Sequence, residues 1–251
     1  MSEIVAIYFL WKREMIRFFR SKSRVIGSLG MPFFFLAILG SGMSGVSVMP
    51  GVQGNYMDFI TPGILGMVLL FGSVFSGVIV IMDRQFGFLK ETLVAPVNRT
   101  SIVIGKALGG GTAAILQGIL MLGLALLLGV QLNLSEAIPL ILVMGLISVS
   151  FVALGIAIAS TMEDMHGFQL ISNFVIMPMF FLSGGLFPLD KAPEILRTIS
   201  YFDPLTYGVE ALRYLLLGYS SIPIMVCVGV LVGFGALCTG VAAYLFNKIE
   251  S

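Results

Sequence analysis

The sequence predicts an all-α integral membrane protein with six transmembrane helices, an N-terminal amphipathic interfacial helix and a re-entrant helical segment before the last span. Three observations predict it. Of 251 residues, 58% are hydrophobic and only 11% charged, too little polarity to coat a water-soluble globule. Six uncharged runs, Val25 to Met57, Phe59 to Met82, Ala107 to Ser135, Ala137 to Met162, Met165 to Leu189 and Tyr214 to Asn247, each exceed the roughly 20 residues that cross a bilayer. The fourteen Lys and Arg residues also fall mostly on one side of the topology those runs imply.

The chain opens with a charged segment, 1–24, that lacks the pattern of a cleavable signal peptide and is expected to be retained. In it Ile4, Tyr8, Trp11, Met15 and Phe18 recur at helical spacing, while Arg13, Arg17, Arg20 and Arg24 fall nearly opposite. Such a helix should lie in the cytoplasmic membrane surface, its arginines on anionic head groups. Trimming the apolar runs at turn residues puts the spans at 25–43, 60–82, 107–130, 137–161, 168–187 and 222–246. Six cations precede the first span, four lie between the second and third, none between the fourth and fifth, and one follows the sixth. The other side carries three, so eleven against three places both termini in the cytoplasm. The longest connections, 83–106 inside and 188–221 outside, are too short to bury cores of their own, and 1–251 reads as a single transmembrane domain.

The 83–106 connection alternates charges with apolar residues and contains a proline stop. It reads either as a short helix with one adhesive face or as a solvated connector carrying topogenic charge. In the outer connection, Asp203 before Pro204 reads as an N-cap with proline at the first helical position, and Gly218 as the stop. The helix between would be about 20 Å long, too short to span. Leu205, Leu212, Leu215, Leu216 and Leu217 are too apolar for an external loop, so the segment is expected to dip into the outer leaflet and return, the alternative being a helix flat on the surface. Glu210 and Arg213, three apart, can neutralise each other. Small residues line one face of the last span (Gly229, Gly233, Ala236, Gly240) and of the fourth (Ser148, Gly155, Ala159), and are read as helix contacts within the chain.

Two stretches carry a resemblance. Glu91-Thr92-Leu93, Pro96, Arg99 and Gly105-Lys106 look like the cytoplasmic coupling loop of the type-2 ABC exporter permease family, in its daunorubicin-exporter-like group. Leu182-Ser183-Gly184-Gly185-Leu186-Phe187-Pro188, then Pro193, Leu196, Pro204-Leu205-Thr206-Tyr207 and Glu210-Ala211-Leu212-Arg213 resemble that family's C-terminal signature. The resemblance extends over nearly the whole chain. It implies a half-transporter: two permease copies, as a homodimer, form the pathway, and two copies of a separate cytoplasmic ATPase subunit bind ATP and Mg and supply the power. It assigns Glu91 and Arg99 to polar contacts with that ATPase, Leu93 to an apolar plug and Pro96 to the end of the coupling helix, and it includes Thr92, Arg13 and Arg17 in the same ATPase-coupling set. Pro204, Tyr207, Glu210 and Arg213 belong to the re-entrant segment. The implied cargo is amphipathic or hydrophobic, drug-, lipid- or glycolipid-like.

The residues themselves narrow the function classes. Inside the six spans there is no Asp, Glu, Lys or Arg, and the polar exceptions are Gln117, Gln169, Ser172 and Asn173, of which Gln117, Ser172 and Asn173 are the candidate pathway residues. A proton-coupled carrier needs a titratable group at depth. An ion-coupled secondary transporter remains the alternative through sodium held by backbone carbonyls, and no polar ring marks a channel. For an enzyme, the lone His166 beside Glu163 and Asp164 has no nucleophile at motif spacing. No G-x-x-x-x-G-K-S/T loop occurs, since Gly105-Lys106 is followed by Ala107, so ATP hydrolysis is expected in a partner rather than here. Cys227 and Cys238 would stand roughly 16 Å apart along one helix and cannot bridge. One histidine and no cysteine cluster leave no metal-ligand set, and a net charge of +1 offers no field for nucleic acid.

Overall fold

The computed structural model describes residues 3–43, 55–88, 97–130 and 136–247. Among them every regular element is helical: α1 (Glu3–Arg20), α2 (Lys22–Gly42), α3 (Tyr56–Ser76), α4 (Val78–Gln85), α5 (Arg99–Leu127), α6 (Ala137–Ser160), α7 (Met165–Leu182), a 3-10 turn (Leu189–Lys191), α8 (Glu194–Ser200), α9 (Pro204–Leu217) and α10 (Ile224–Asn247). Six stretches are long and apolar enough to cross a bilayer: 25–42 in α2, 56–85 through α3 and α4, α5, α6, α7, and 224–246 in α10. The six-span all-α architecture read from the sequence is therefore present.

Several ends differ from the trimmed runs. α5 starts at Arg99, not near 107, and α4 stays helical to Gln85, so both flanks of the 83–106 connection are helix. Charge had bounded the runs, but Arg, Lys and Gln are good helix formers and do not end a helix. At 29 residues α5 is about 43 Å long, more than the roughly 30 Å hydrocarbon core, so its charged first turns project past it. α7 begins earlier than expected because the Asp164 side chain caps it, accepting from the Gly167 N–H at 2.7 Å.

The bundle is layered. The spans of α3–α4 and α6 are 72% and 61% buried, whereas those of α2, α7 and α10 are only 22%, 22% and 17% buried and turn most of their surface outward. α3 packs against α2, α5, α6, α7 and α9, and α10 lies along α6. A Cβ on Gly77, at the joint of α3 and α4, would stand 2.4 Å from the Gly155 carbonyl oxygen, and one on Gly155 would stand 2.4 Å from the Val74 carbonyl oxygen. The fourth-span seam is thus used inside the chain.

The last-span seam is not, which corrects the reading of Gly229, Gly233, Ala236 and Gly240 as contacts within the chain. Among the described residues an added Cβ at Gly229, Gly233 or Gly240 meets nothing within 4 Å, and Ala236 is exposed. α10 instead turns Cys227, Leu231, Cys238, Ala242 and Phe246 inward and seats Gly235 on Ser150, whose hydroxyl donates to the Leu231 carbonyl at 3.3 Å. Lipid accepts an apolar face of either kind, so the packing of these side chains against α6, and not removal of apolar surface from water, sets the rotation of the helix.

α1 runs parallel to α5 in constant register. Glu3 accepts from the Asn98 backbone and side chain at 3.2 and 3.0 Å, Leu10 covers Gly105, and Glu14 covers Gly109. An added Cβ at Gly105 would stand 2.9 Å from Leu10, and at Gly109 2.7 Å from Glu14, so glycine makes the groove that α1 occupies. Trp11 donates to Thr112 Oγ1 at 3.1 Å. The expected apolar stripe divides: Met15 is buried, whereas Ile4 and Tyr8 are exposed along with Phe9, Ile16 and Phe19.

Candidate functional site

At the end of the bundle where α4 stops and α5 starts, Asp83 sits in the last turn of α4 with 2% of its side chain exposed. Burying a lone carboxylate would be costly, and three cations meet it. Arg13 of α1 makes a charge-assisted hydrogen bond to Oδ1, Lys106 of α5 places Nζ 2.5 Å from Oδ2, and Arg17 Nη2 lies 3.8 Å from Oδ1. Glu14, also buried, stands 3.7 Å from Arg17 Nη1. Arg13 and Arg17 therefore turn inward onto Asp83, not outward to head groups as the helical wheel implied. The two ends of the connection, Asp83 and Lys106, are clasped to each other and to α1.

Glu91, Thr92, Leu93 and Pro96 lie outside the described residues. Arg99 opens α5, where its Nη1 donates to the Phe246 carbonyl of α10 at 3.3 Å. Arg84 and Gln85 reach the Met162 and Glu163 carbonyls of the α6–α7 link at 3.5 and 3.4 Å. This end of the molecule is thus tied across α1, α4, α5, α10 and the α6–α7 link. Nothing in the spacing of Asp83 and Lys106, 23 residues apart, pairs them. The signal was only that both are charges at the mouths of apolar runs.

Beside this cluster a cleft of about 370 Å³ opens between α1, α2, α3 and α5. Its wall is mostly apolar, and Gln117 faces it, 8% exposed and with no hydrogen-bond partner at Oε1. The other two candidate pathway residues do not join it. Ser172 is fully buried with its hydroxyl unpaired, and Asn173 is exposed on α7; neither lines the cleft.

The opposite end is built on α9. Asp203 caps the helix by accepting from the Leu205 N–H at 2.9 Å, Pro204 follows, and Gly218 stops it in the left-handed region at φ 71°. Tyr207 Oη donates to the Tyr201 carbonyl at 2.9 Å. Glu210 and Arg213 form a buried ion pair, each side chain 2% exposed. Arg213 also donates to the Gly184 carbonyl at 2.8 Å and stacks over the Phe59 ring at 4.5 Å, while Glu210 accepts from the Ser221 N–H at 2.6 Å. Sequence reasoning had the pair but not Phe59, Gly184 or Ser221, through which α9 holds α3 and both flanking loops.

Burial pushes the Asp203 carboxyl up to about 7, against the lowering effect of the Leu205 N–H. The folded state therefore holds this proton more tightly than the unfolded chain. Its stabilising contribution is present at low pH and is lost as pH rises from about 4 to about 7. The melting temperature should fall over that interval, and Asp203→Asn, which keeps a capping acceptor, should flatten the profile. Matched thermal melts across pH would decide it; an unchanged slope in the variant would reject the assignment.

Six spanning helices around a buried α3 and α6, with an ion-clasped connection at one end and a capped buried helix folded over the other, define a multi-span membrane protein of permease type. The chain belongs to the ABC-2 type transporter family, whose profile matches residues 5–217. It is similar to the inner membrane transport permease YadH of Escherichia coli (strain K12), 29% identical over 237 residues, 92% of this chain and 90% of that one. It is also similar to nodulation protein J of Rhizobium leguminosarum bv. trifolii, 28% identical over 229 residues, 88% and 85% of the two chains. The ycf38 protein of Cyanophora paradoxa is 31% identical over 216 residues, 84% of this chain and 74% of its own.

Proposed function

We propose that this chain is the permease subunit of an ATP-binding-cassette exporter that moves an amphipathic or hydrophobic cargo, drug-, lipid- or glycolipid-like, out of the cytoplasm. The family match over 5–217 carries the reading. ATP and Mg belong to a separate cytoplasmic ATPase, two copies of which serve a homodimer of this chain in the cell membrane, with both termini on the ATPase side. The clasp at Asp83 supports a coupling role for the connection it closes: a push on residues 83–106 reaches α4, α5 and α1 together. In this reading Glu91, Thr92 and Arg99 make polar contacts with the ATPase, Leu93 enters its surface and Pro96 ends the coupling helix. Arg13 and Arg17 support that surface from behind through Asp83. The 188–221 segment, with Pro204, Tyr207, Glu210 and Arg213, closes the outer end as a re-entrant element.

The test is a pull-down from native membranes of the wild-type chain beside a Glu91→Ala, Leu93→Ala double variant. An ATPase should copurify with the wild type and be lost or uncoupled in the variant. Gentle extraction that yields no ATPase would favour the ion-coupled carrier, whose transport collapses when the ion gradient is dissipated.

A further inference from the structure

The cleft beside the Asp83 cluster is neither the ATPase-facing connection nor the outer segment, and its chemistry is specific. It extends along α3 and α4 from Met67 to Ile79, twelve residues or about 18 Å, close to the roughly 15 Å depth of one leaflet's hydrocarbon. Pro32, Phe71 and Phe75 give it an apolar wall, and it opens past Ser28 and Met31 of α2, both exposed. The mouth therefore lies on the surface of the chain, between its helices.

Its charged groups sit at one end. Arg13, Arg17 and Lys106 are three cations against the two carboxylates of Asp83 and Glu14, which leaves one positive charge uncompensated. Arg17 lines the cleft, and its Nη1 is shielded from solvent without a hydrogen-bond partner. Farther in, Gln117 is more than nine-tenths buried, and its Oε1 has no hydrogen-bond partner among the described residues. The register of α1 on α5 is a constant offset of 95 residues, which sets Arg17 level with Thr112. Gln117 is then about 7 Å farther along the axis. A phosphate on Arg17 would lay an acyl chain of the same molecule along the apolar wall and past Gln117.

We infer that this cleft is a binding site for one anionic glycerophospholipid of the bilayer, its phosphate on Arg17 and an acyl chain between α2, α3 and α5. The site is complete within one chain and needs neither ATP nor an ATPase, so its fate is independent of the exporter reading.

The experiment uses the full-length protein, exchanged in mild detergent into an equimolar mixture of palmitoyl-oleoyl phosphatidylglycerol and phosphatidylcholine, with retained lipid measured by native mass spectrometry. The wild type should retain one phosphatidylglycerol per chain with about a tenfold preference, since both lipids carry the phosphate but the choline ammonium of phosphatidylcholine adds to the uncompensated positive charge. Arg17→Gln should abolish the preference. Gly27→Leu, at a cleft-lining position whose Cβ meets no atom within 4 Å, should fill the cleft and remove both lipids without a packing clash. Equal retention of the two lipids by the wild type, detergent alone in the cleft, or wild-type retention by both variants would overturn the site. Should Arg17→Gln fail to fold, the wild-type preference and Gly27→Leu still decide.

Discussion

Arg213→Met is expected to cost about 3–5 kcal/mol of stability, because it strands the Glu210 carboxylate in a pocket where both partners are 2% exposed. The arginine meets three groups at once: Glu210, the Gly184 carbonyl and the face of Phe59. Removing it loses a charge-assisted bond, a buried carbonyl's partner and a cation–π contact in one step. Glu210 retains the Ser221 N–H, which cannot neutralise it. The companion Glu210→Gln should also destabilise, by leaving the guanidinium buried without its counter-charge. Together the two should cost less than either alone, since a neutral amide beside a thioether leaves no buried charge uncompensated. Thermal unfolding of the purified single and double variants measures that coupling directly. If the double variant is as weak as the sum of the singles, the pair is not the element that holds α9 to α3.

How much of this was legible in the sequence follows from what lipid demands of a chain. Span number was legible because every crossing must be long and apolar. The ends of α9 were legible because Asp203, Pro204 and Gly218 answer backbone needs that do not depend on surroundings. Helix rotation was not. In water an apolar stripe points to the core, but a face turned to lipid is apolar too, so Ile4 and Tyr8 could lie outside while Arg13 and Arg17 turned in onto Asp83. The same ambiguity misdirected the small-residue face of α10, where Gly229 and Gly233 stay open. Of the pathway candidates, Gln117 was placed by its polarity in an apolar run and does reach a cleft. Ser172 and Asn173 had the same signal on adjacent positions of one helix, which necessarily point in different directions.

Asp83→Ala is the second large effect expected, and it separates structure from coupling. The substitution leaves Arg13, Arg17 and Lys106 crowded together with Glu14 as the one remaining carboxylate of the cluster. Lys106, 5% exposed, bears most of the cost, while Arg13 and Arg17, 34% and 29% exposed, are partly relieved by solvent. The loss should again approach about 3 kcal/mol, with α1 released from α4. Hydrogen exchange should show this as faster exchange across α1, while α9, at the other end of the bundle, keeps its protection. Asp83→Leu combined with Lys106→Met removes the buried charges on both sides and should restore most of the stability without restoring the clasp. That double variant isolates the mechanical claim. If a push on the 83–106 connection must travel through the clasp, the stable double variant still binds the ATPase but no longer changes its rate of hydrolysis. A double variant that couples as the wild type does would mean that the helices transmit the movement through packing alone.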